Sequence, residues 1–544
     1  MHRNIVIGPP GTGKTTYLKN KVQELLKSGA CRSQEIGYFS FTVKAAEEIR
    51  DRIVADFEEK YTAETVKIAF PYFSTLHSLA YKRLRLRPDQ IMDESDYEVL
   101  SKLTSHEYVN KMRKGNGVDI SMPTAKSEYQ DIINLAYAKY PDDDDRLIKV
   151  FKERMLNHYG ARKTIEQMDA DLAKFKLDRD KFEYVDFFTH FIKQKSAPQL
   201  KYLFIDEAQD LSAQQWQVVD MLQKESGALE TYVAGDDDQA IFRWAGADIE
   251  HFIQMAGDNR NTIIELKQSY RIPKSVHSIA TKLAQSISKR IPKEYKPRDE
   301  EGVRKVLNIR PFKSLLHDGE WLILCRTHEI VKNVCETLEM YGFLYKRYGH
   351  SVVNFKYIEA IRAWTRLQKG EKVSGVDCET LYNYMDSTRI KRNYGVFKGQ
   401  PEGFYNIDDL INEHGLREHI LIKKDMHNVK NIAWFDILNA KGFLKRIAYL
   451  RSIMRSGFKL ESKPRIEVST IHASKGGERQ KVMLLTDLSM GPYKSYRESI
   501  QGRDDEARVF YVGATRAKEE LYVIHRVDMQ HEYEPIFHYD RKAS

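Results

Sequence analysis

Glycines, a lysine and a threonine near the amino terminus have the spacing of a phosphate-binding loop, Gly8-x4-Gly13-Lys14-Thr15. Glycines let the backbone close around an anion, so that successive N–H groups and a helix amino terminus point at phosphates. Lys14 would reach the β- and γ-phosphate oxygens, and the Thr15 hydroxyl would bind Mg²⁺. The spacing therefore predicts a nucleoside triphosphate as ligand. The whole run is Gly8, Pro9, Pro10, Gly11, Thr12, Gly13, Lys14, Thr15 and Thr16.

Two adjacent carboxylates form a second group that could do chemistry. Asp206 and Glu207 directly follow the apolar run 202–205. In a phosphate-loop ATPase, Asp206 would hold Mg²⁺ through its water shell, and Glu207 would position or deprotonate the attacking water. An Asp-Glu pair alone is common. After a buried strand, in a chain with a phosphate loop, it indicates an ATPase site.

Short apolar runs that are typical of buried strands precede these residues. Such strands alternate with amphipathic helices, as in the helix 17–26 after the loop, which predicts parallel α/β layers. The strands fall into two groups, so we expect two sheets. Between roughly 85 and 180, and again between roughly 350 and 460, the pattern predicts helical insertions. The predicted strands are 4–7, 202–205, 231–234, 321–325 and 482–485.

Length and composition limit the class of protein. A chain of 544 residues predicts several domains. No apolar run approaches the ~18–20 residues that span a bilayer. The first strand begins too early for a secretory signal, and the four cysteines lack zinc-ligand spacing, so we expect a reducing, cytoplasmic location and no membrane partner.

Positive charge is concentrated in one segment. The net charge is +9, and residues 441–481 contain eleven Lys/Arg against three Glu. Such a segment attracts polyanions and makes their binding salt-dependent. A charged run is more often only a solvated face, so this segment supports a nucleic-acid partner weakly.

Eight short motifs occur in order between residue 8 and residue 517. After the phosphate loop they are Phe41-Thr42-Val43-Lys44-Ala45-Ala46, Ser74-Thr75-Leu76-His77, Asp206-Glu207-Ala208-Gln209-Asp210, Gly235-Asp236-Asp237-Asp238-Gln239-Ala240-Ile241, Gln268-Ser269-Tyr270-Arg271, Thr470-Ile471-His472-Ala473-Ser474-Lys475-Gly476 and Tyr511-Val512-Gly513-Ala514-Thr515-Arg516-Ala517. This ordered set resembles the motifs of superfamily 1 DNA helicases of the UvrD/Rep/PcrA type. The compact inserts are compatible with a viral or mobile-element member.

The resemblance implies an α/β fold with two RecA-like phosphate-loop domains, each a parallel sheet with flanking helices and a mainly helical insert. ATP would bind in the cleft between the domains, and single-stranded DNA would cross their upper surface. The expected boundaries are 1–85 and 181–264 for the first domain, 86–180 for its insert, 265–350 and 463–544 for the second domain, and 351–462 for its reduced insert.

For the nucleotide, the resemblance implies ATP and Mg²⁺ and a role for each matched residue. Gln239 would sense the γ-phosphate. Arg271 and Arg516, both from the second domain, would neutralise charge on the transferring phosphoryl group, which Lys14 and Mg²⁺ cannot fully cover. Tyr270 would stack on the adenine, and Glu478 would hydrogen-bond the ribose.

For DNA, the resemblance points to residues in both domains, and stacking of bases on Trp244 would be the principal contact. Any base offers a π-face, so an aromatic platform binds strands without reading sequence. Outside the motif, Trp244 would be assigned to core packing, and His77 and His472 to ordinary hydrogen-bonded histidines. The implied contacts are Phe41, Thr42, Lys44, His77 and Trp244, then Arg326, Thr470 and His472.

One departure from the family concerns an arginine. After Gln239 the family usually has Ser-Ile-Tyr-x-Trp-Arg-Gly-Ala, whereas this chain has Ala-Ile-Phe-Arg-Trp-Ala-Gly-Ala. The arginine therefore precedes Trp244, as Arg243, and its usual contact is lost or remade.

The resemblance implies an ATP-driven 3′→5′ translocase and helicase acting on single-stranded DNA and on junctions with duplex, as a monomer, with a protein loading partner still to be identified. It would serve replication, repair or recombination. Three alternatives remain open: a DNA-stimulated ATPase that remodels protein–DNA complexes with little unwinding, a 5′→3′ relative, and an RNA-directed relative.

Overall fold

The apolar runs predicted as strands lie in two large sheets of the computed structural model. The α/β fold class with parallel sheets is confirmed. The structure describes residues 2–57, 65–104, 106–108, 128–153, 159–308, 312–394, 397, 399–422, 424–438, 444–457, 462–526 and 529–537.

The strands are short, and most of those in the two large sheets are apolar, as expected for layers covered by helices. They are β1 (Asn4–Ile7), β2 (Ile36–Phe39), β3 (Phe73–Ser74), β4 (Tyr202–Ile205), β5 (Glu230–Gly235), β6 (Thr262–Glu265), β7 (Val303–Leu307), β8 (Trp321–Cys325), β9 (Tyr345–Arg347), β10 (His350–Ser351), β11 (Val373–Ser374), β12 (Phe404–Tyr405), β13 (His419–Ile422), β14 (Asp425–Asn428), β15 (Ile466–Thr470), β16 (Arg479–Leu485), β17 (Asp487–Leu488), β18 (Ala517–Ile524) and β19 (His531–Glu532).

Helices connect most of these strands. They are α1 (Lys14–Lys27), α2 (Val43–Ala55), α3 (Val66–Ala69), α4 (Leu76–Leu84), α5 (Glu94–Thr104), α6 (Glu128–Lys139), α7 (Arg146–Glu153), α8 (Tyr159–Arg179), α9 (Tyr184–Gln194), α10 (Ala213–Glu225), α11 (Ile249–Ala256), α12 (Lys274–Gln285), α13 (Phe312–Leu315), α14 (His328–Tyr341), α15 (Phe355–Gln368), α16 (Gly375–Tyr384), α17 (Ile407–Asn412), α18 (Trp434–Ile437), α19 (Leu444–Arg455), α20 (Met490–Glu498) and α21 (Ile500–Ala514).

The chain forms two compact units. The first comprises residues up to Gly302 together with Lys494–Thr515, and the second comprises Val303–Tyr493 and Arg516–Phe537. This division differs from the expected boundaries, because residues 265–302 and 494–515 group with the first unit. Strand β6 pairs with β1, and α12 packs against α21, which holds both segments there.

The first unit contains a six-stranded sheet with the order β3-β2-β4-β5-β1-β6, in which every neighbouring pair is parallel. Ile7 at the end of β1 is level with Gly235 of β5 and Glu265 of β6. The carboxyl ends of these strands therefore share one edge, which we call the first carboxyl edge. Helices α5–α8 surround a separate apolar core within the expected insert 86–180.

The second unit contains a seven-stranded sheet with the order β10-β9-β15-β8-β16-β18-β7. The β10–β9 pair is antiparallel, and the other neighbours are parallel. Within the expected insert 351–462, helices α15–α19 are accompanied by two antiparallel pairs, β11–β12 and β13–β14. That insert is therefore mixed rather than only helical. Among the described residues, no helix is both long and apolar enough to cross a membrane.

Candidate nucleotide and nucleic-acid site

The phosphate loop joins the end of β1 to the start of α1. Gly11 and Gly13 have φ values of 77° and 84°, the left-handed region that favours glycine. A Cβ on Gly11 would lie 2.4 Å from the Cβ of Arg271, so a side chain does not fit there. Gly13 immediately precedes α1, which directs the first N–H groups of that helix at the loop. The remaining predicted loop residues, Gly8, Pro9, Pro10, Thr12 and Thr16, lie in this segment.

Lys14 is buried at the start of α1. Its Nζ donates to the carbonyl oxygen of Gly8 at 2.6 Å and approaches that of Pro9 at 3.4 Å. Burial lowers the pKa of Lys14, and the carboxylates of Asp236 and Glu207 act in the opposite direction. The ammonium is thus held over the loop backbone, where the phosphates of a nucleotide would replace loop carbonyls as its partners.

Asp206 and Glu207 follow β4 at the first carboxyl edge. The Thr15 hydroxyl donates to Asp206 Oδ2 at 2.9 Å, so the two predicted metal ligands are in contact. Tyr38, which sequence reasoning missed, donates to the same oxygen at 2.9 Å. Burial, and then the charge of Glu207, raises the pKa of Asp206 to about 6. A hydroxyl and a carboxylate are hard oxygen donors of the kind that Mg²⁺ prefers, so these residues fit the implied ion.

Glu207 and Gln239 are joined by a series of hydrogen bonds. Gln209 Nε2 donates to Glu207 Oε2 at 2.6 Å, and Asp236 N donates to Gln209 Oε1 at 3.0 Å. Gln239 Nε2 then donates to Asp236 Oδ2 at 2.8 Å. The candidate water-activating carboxylate is therefore linked to the candidate γ-phosphate sensor through Gln209. Sequence reasoning missed Gln209, although its place two residues after Glu207 was a usable signal.

Three consecutive carboxylates after β5 surround a buried lysine. Carboxylate oxygens of Asp236, Asp237 and Asp238 lie within 4.8 Å of one another, a spacing that could hold a metal ion. Lys293 Nζ lies among them, at 3.2, 2.5 and 2.9 Å respectively. Arg290 adds a two-point contact with Asp238 at 2.8 and 2.6 Å. The cluster is thus a charge-compensated anchor for the segment that carries Gln239.

Tyr270 and Arg271 lie beside the phosphate loop in the first unit. Tyr270 N donates to the Gly11 carbonyl at 2.9 Å, and the Ser269 hydroxyl donates to that of Pro10 at 2.9 Å. The expectation that Arg271 comes from the second unit is therefore wrong, because these bonds and strand β6 fix its segment to the loop. The Tyr270 side chain is 75% exposed, which leaves its ring available for stacking.

The first unit brings the candidate DNA contacts Phe41 and Trp244 close together. The Phe41 ring stacks on Phe242 at 5.4 Å, and Phe242 meets Trp244 at 6.5 Å. Sequence reasoning did not assign Phe242 a role, although it lies within the motif that contains Trp244. Thr42 caps α2 by accepting from Ala45 N, and its side chain is exposed like that of Lys44.

His77 is the second residue of α4, two residues after Thr75 and three residues after the end of β3. Its ring centroid is 4.1 Å from that of Phe188 and 6.0 Å from that of Tyr184. Burial lowers the pKa of His77 to about 4, so the ring is neutral at physiological pH. These contacts are those of a packed aromatic side chain, and its role with DNA stays a prediction.

Arg243 makes ion pairs with carboxylates of two helices, α11 and α21. Its Nη1 lies 3.3 Å from Glu250 of α11, and its Nε lies 3.3 Å from Asp505 of α21. Burial raises the pKa of Asp505 to about 6, although Arg243 and Arg508 oppose this shift. Arg508 also donates to the Asp237 carbonyl at 3.0 Å. The segment with Trp244 is therefore tied to α21 by charge.

The second unit places its predicted residues at two opposite edges of its sheet. Arg326 directly follows β8, and Thr470 is the last residue of β15. The last residues of these two strands are level with each other. His472 comes two residues later. Glu478 and Arg516 precede β16 and β18, so they lie at the amino ends of parallel strands. Arg479 N donates to the Arg516 carbonyl at 3.1 Å, and Arg516 Nη1 donates to that of Gly477 at 3.2 Å.

The basic segment 441–481 is only partly described, because residues 441–443 and 458–461 lie outside the described residues. Two of its cations have acidic partners in the seven-stranded sheet. Arg479 lies 2.7 Å from Glu467, and Lys481 lies 3.1 Å from Glu520. The four cysteines are buried free thiols.

Comparisons with known proteins agree with this geometry. Residues 2–260 match the UvrD/REP helicase N-terminal domain, and residues 465–524 match the UvrD-like helicase C-terminal domain. The chain is similar to the ATP-dependent DNA helicase PcrA of Bacillus subtilis, with 22% identity over 95% of this chain and 80% of the relative. The PcrA proteins of Staphylococcus aureus and Staphylococcus epidermidis are 25% and 26% identical over 53% of this chain and 39% of their own lengths.

Proposed function

The chain belongs to the UvrD/PcrA type of superfamily 1 helicases, and from this premise we propose that it moves 3′→5′ along single-stranded DNA by hydrolysing ATP. It is an ATP-dependent DNA helicase of this type. Strand polarity, the single-stranded track and the residue roles below are the parts that we propose. We further propose that it acts as a monomer at junctions between single and double strands.

The proposal rests on the grouping of candidate nucleotide and DNA contacts at the first carboxyl edge. It holds the phosphate loop, the Thr15–Asp206 contact and Glu207, and it also holds the aromatic residues Phe41 and Trp244. Gln239 and Trp244 are five residues apart in one segment. A nucleotide-dependent movement of Gln239 would therefore be transmitted to the stacking platform over a short stretch of backbone.

Hydrolysis requires that the phosphates be held and a water be activated. Lys14 and the N–H groups that begin α1 would bind the β- and γ-phosphates. Glu207 would accept a proton from the attacking water, with Gln209 fixing its carboxylate. Thr15 and Asp206 would hold Mg²⁺, which neutralises charge on the phosphates when bound. Arg271 and Arg516 would neutralise the charge that remains on the transferring group.

Binding of the track would rest on stacking and on phosphate contacts. Trp244, supported by Phe242 and Phe41, would stack on bases at about 1–3 kcal/mol each. Lys44 is exposed and would contact the backbone electrostatically. In the second unit, Arg326, Thr470 and His472 would provide a second grip. Tyr270 would stack on the adenine, and Glu478 would bind the ribose.

The function is tested by measuring ATP hydrolysis with and without single-stranded DNA or RNA, followed by unwinding of duplexes with a 3′ or a 5′ tail. We expect stimulation by DNA and unwinding of the 3′-tailed substrate. Unwinding of only the 5′-tailed duplex would show that the protein moves in the opposite direction, 5′→3′. Stimulation by RNA alone would show that it moves on RNA rather than on DNA. Stimulated hydrolysis without unwinding of either duplex would favour a remodelling ATPase.

A further inference from the structure

Both oxygens of the Asp206 carboxylate are engaged by donors. Oδ2 accepts from the Thr15 hydroxyl and from the Tyr38 hydroxyl, each at 2.9 Å, and Oδ1 accepts from Glu207 N at 3.0 Å. Thr15 belongs to the phosphate loop, and Glu207 N belongs to the adjacent residue. Tyr38 is different, because it reaches Asp206 from the neighbouring strand β2.

The Tyr38 ring is packed within a row of aromatic rings that crosses four strands. It stacks on Phe73 of β3 at 5.5 Å and on Phe204 of β4 at 6.2 Å, with interplanar angles of 13° and 18°. Phe204 in turn stacks on Tyr232 of β5 at 5.0 Å. Because the ring is fully buried and stacked on both sides, its hydroxyl oxygen is confined to a position beside the Asp206 carboxylate.

Packing alone does not require a hydroxyl at position 38. Phe73 and Phe204 fill the same row without a polar atom, and Tyr38 is completely buried. A buried hydroxyl loses its hydrogen bonds with water, so it is retained at low cost only where it finds a partner. Its partner here is the carboxylate that lies in contact with Thr15.

We propose that Tyr38 is a positioning residue for the metal–nucleotide site: its hydroxyl fixes the Asp206 carboxylate in the orientation that accepts from Thr15. In this arrangement the Thr15 oxygen keeps its lone pairs for a cation while its proton is directed at Asp206. The proposal rests on the proposed function, since it presupposes a Mg²⁺–nucleotide complex at Thr15 and Asp206. Residues that orient metal-binding groups typically change metal affinity by about 10–100-fold when they are removed.

The test compares Tyr38→Phe with Tyr232→Phe, a matched control. Tyr232 is in the same aromatic row and is also buried, but its hydroxyl donates to Glu230 rather than to Asp206. The first measurement is the Mg²⁺ concentration that gives half of the thermal stabilisation by a non-hydrolysable ATP analogue. Mn²⁺ binding, followed by electron paramagnetic resonance, provides a readout independent of both activity and stability.

We expect Tyr38→Phe to need about tenfold more Mg²⁺, and to bind Mn²⁺ about tenfold more weakly, than Tyr232→Phe. At saturating Mg²⁺ its kcat should return to within about twofold of the unmodified chain, because the phosphate and water contacts are intact. Placing 4-aminophenylalanine at position 38 keeps an N–H donor and should restore metal affinity. Placing 4-fluorophenylalanine there keeps the volume without a donor and should not.

Equal metal dependence of Tyr38→Phe and Tyr232→Phe would overturn the role of Tyr38. So would equal affinity with the amino and the fluoro side chains, which also answers the case in which Tyr38→Phe does not fold. If the unmodified chain gains no stability from Mg²⁺ and the analogue together, the proposed nucleotide site itself is wrong. The two failures are therefore distinguishable.

Discussion

Lys293 Nζ lies 2.9 Å from Asp238 Oδ2, in a position where each side chain is only 1% exposed. The same ammonium contacts Asp236 and Asp237, so three consecutive carboxylates share one buried cation. Burial alone would lower the pKa of Lys293, but the three carboxylates outweigh it and raise the pKa well above its ordinary value. Lys293 therefore stays charged and anchors the segment that ends at Gln239.

Removing this cation should destabilise the first unit strongly. Lys293→Met leaves the buried carboxylates without their shared partner, which typically costs about 3–5 kcal/mol. Lys289→Met is the control, because its side chain is 59% exposed and lies 3.7 Å from Glu250. Urea unfolding should show an earlier transition for Lys293→Met only. Equal midpoints for the two variants would contradict a structural role for the cluster.

Stability should depend on His77 in the acidic range. Burial lowers the pKa of His77 to about 4 from an ordinary 6.5, so the unfolded chain takes up the proton more readily than the folded one. The stabilisation that neutral His77 contributes to the free energy of unfolding is complete above about pH 6.5 and is lost as the pH falls towards 4. His77→Gln should flatten this part of the urea-midpoint profile, whereas the exposed His419→Gln should leave it unchanged. A profile of His77→Gln that parallels the unmodified chain would refute the assignment.

The Arg243–Asp505 contact should couple DNA binding to hydrolysis. Arg243 directly precedes Trp244, and its Nε lies 3.3 Å from Asp505. Arg243→Gln should raise the DNA concentration needed for half-maximal ATPase stimulation, and Asp505→Asn should add little once Arg243 is gone. A double-mutant cycle should give about 0.5–3 kcal/mol of coupling. Arg260→Gln, at an exposed pair with Asp258, is the control, and additive effects of Arg243→Gln and Asp505→Asn would exclude the coupling.

Lys14→Ala should abolish ATP hydrolysis while some DNA binding remains. Loss of one group that stabilises developing charge typically lowers kcat by roughly 10²–10³-fold. Lys27→Ala, at the exposed end of the same helix, should hydrolyse ATP normally. Steady-state ATPase and fluorescence anisotropy with a labelled oligonucleotide measure the two properties. Normal turnover by Lys14→Ala would remove Lys14 from the active site.

Trp244→Ala should uncouple hydrolysis from DNA, because it removes the stacking surface that Phe242 supports. We expect affinity for single strands to fall by about 1–3 kcal/mol, with a smaller loss for Trp244→Phe, which keeps an aromatic face. Binding should weaken with salt in both variants, because the phosphate contacts remain. If Trp244→Ala is stimulated by DNA as strongly as the unmodified chain, this residue is not in the DNA path.

The sequence was informative where local pattern determines structure. The runs 4–7, 202–205 and 321–325 correspond to β1, β4 and β8 without a shift, because each is short, apolar and followed by polar or glycine residues. Parallel strands bring their carboxyl ends to one edge, so the proximity of Thr15 and Asp206 followed from the pattern. These features depend on neighbouring residues and on a general property of sheets.

Other features depend on long-range packing that no local pattern reports. Lys293 lies in a polar segment with no motif, and its charge partners were visible only once β5 and residues 286–293 were folded together. The unit to which Arg271 belongs depends on backbone bonds to the phosphate loop. The paired strands β13 and β14 are short, and they lie in a stretch whose pattern predicted helices, so they were not predicted from the sequence.

The interleaved order of the two units has a consequence for synthesis of the protein. Arg508 donates to a carbonyl that lies 271 residues earlier, at Asp237, so the first unit lacks this contact until α21 has left the ribosome. The seven-stranded sheet is incomplete until β18 has been synthesised. This strand begins at Ala517, only three residues after α21 ends at Ala514. We therefore expect α21 and β18 to complete the contacts of the first unit and the large sheet of the second unit almost simultaneously. Until then, apolar surface of the nascent chain stays exposed, and chaperones would have to protect it from aggregation.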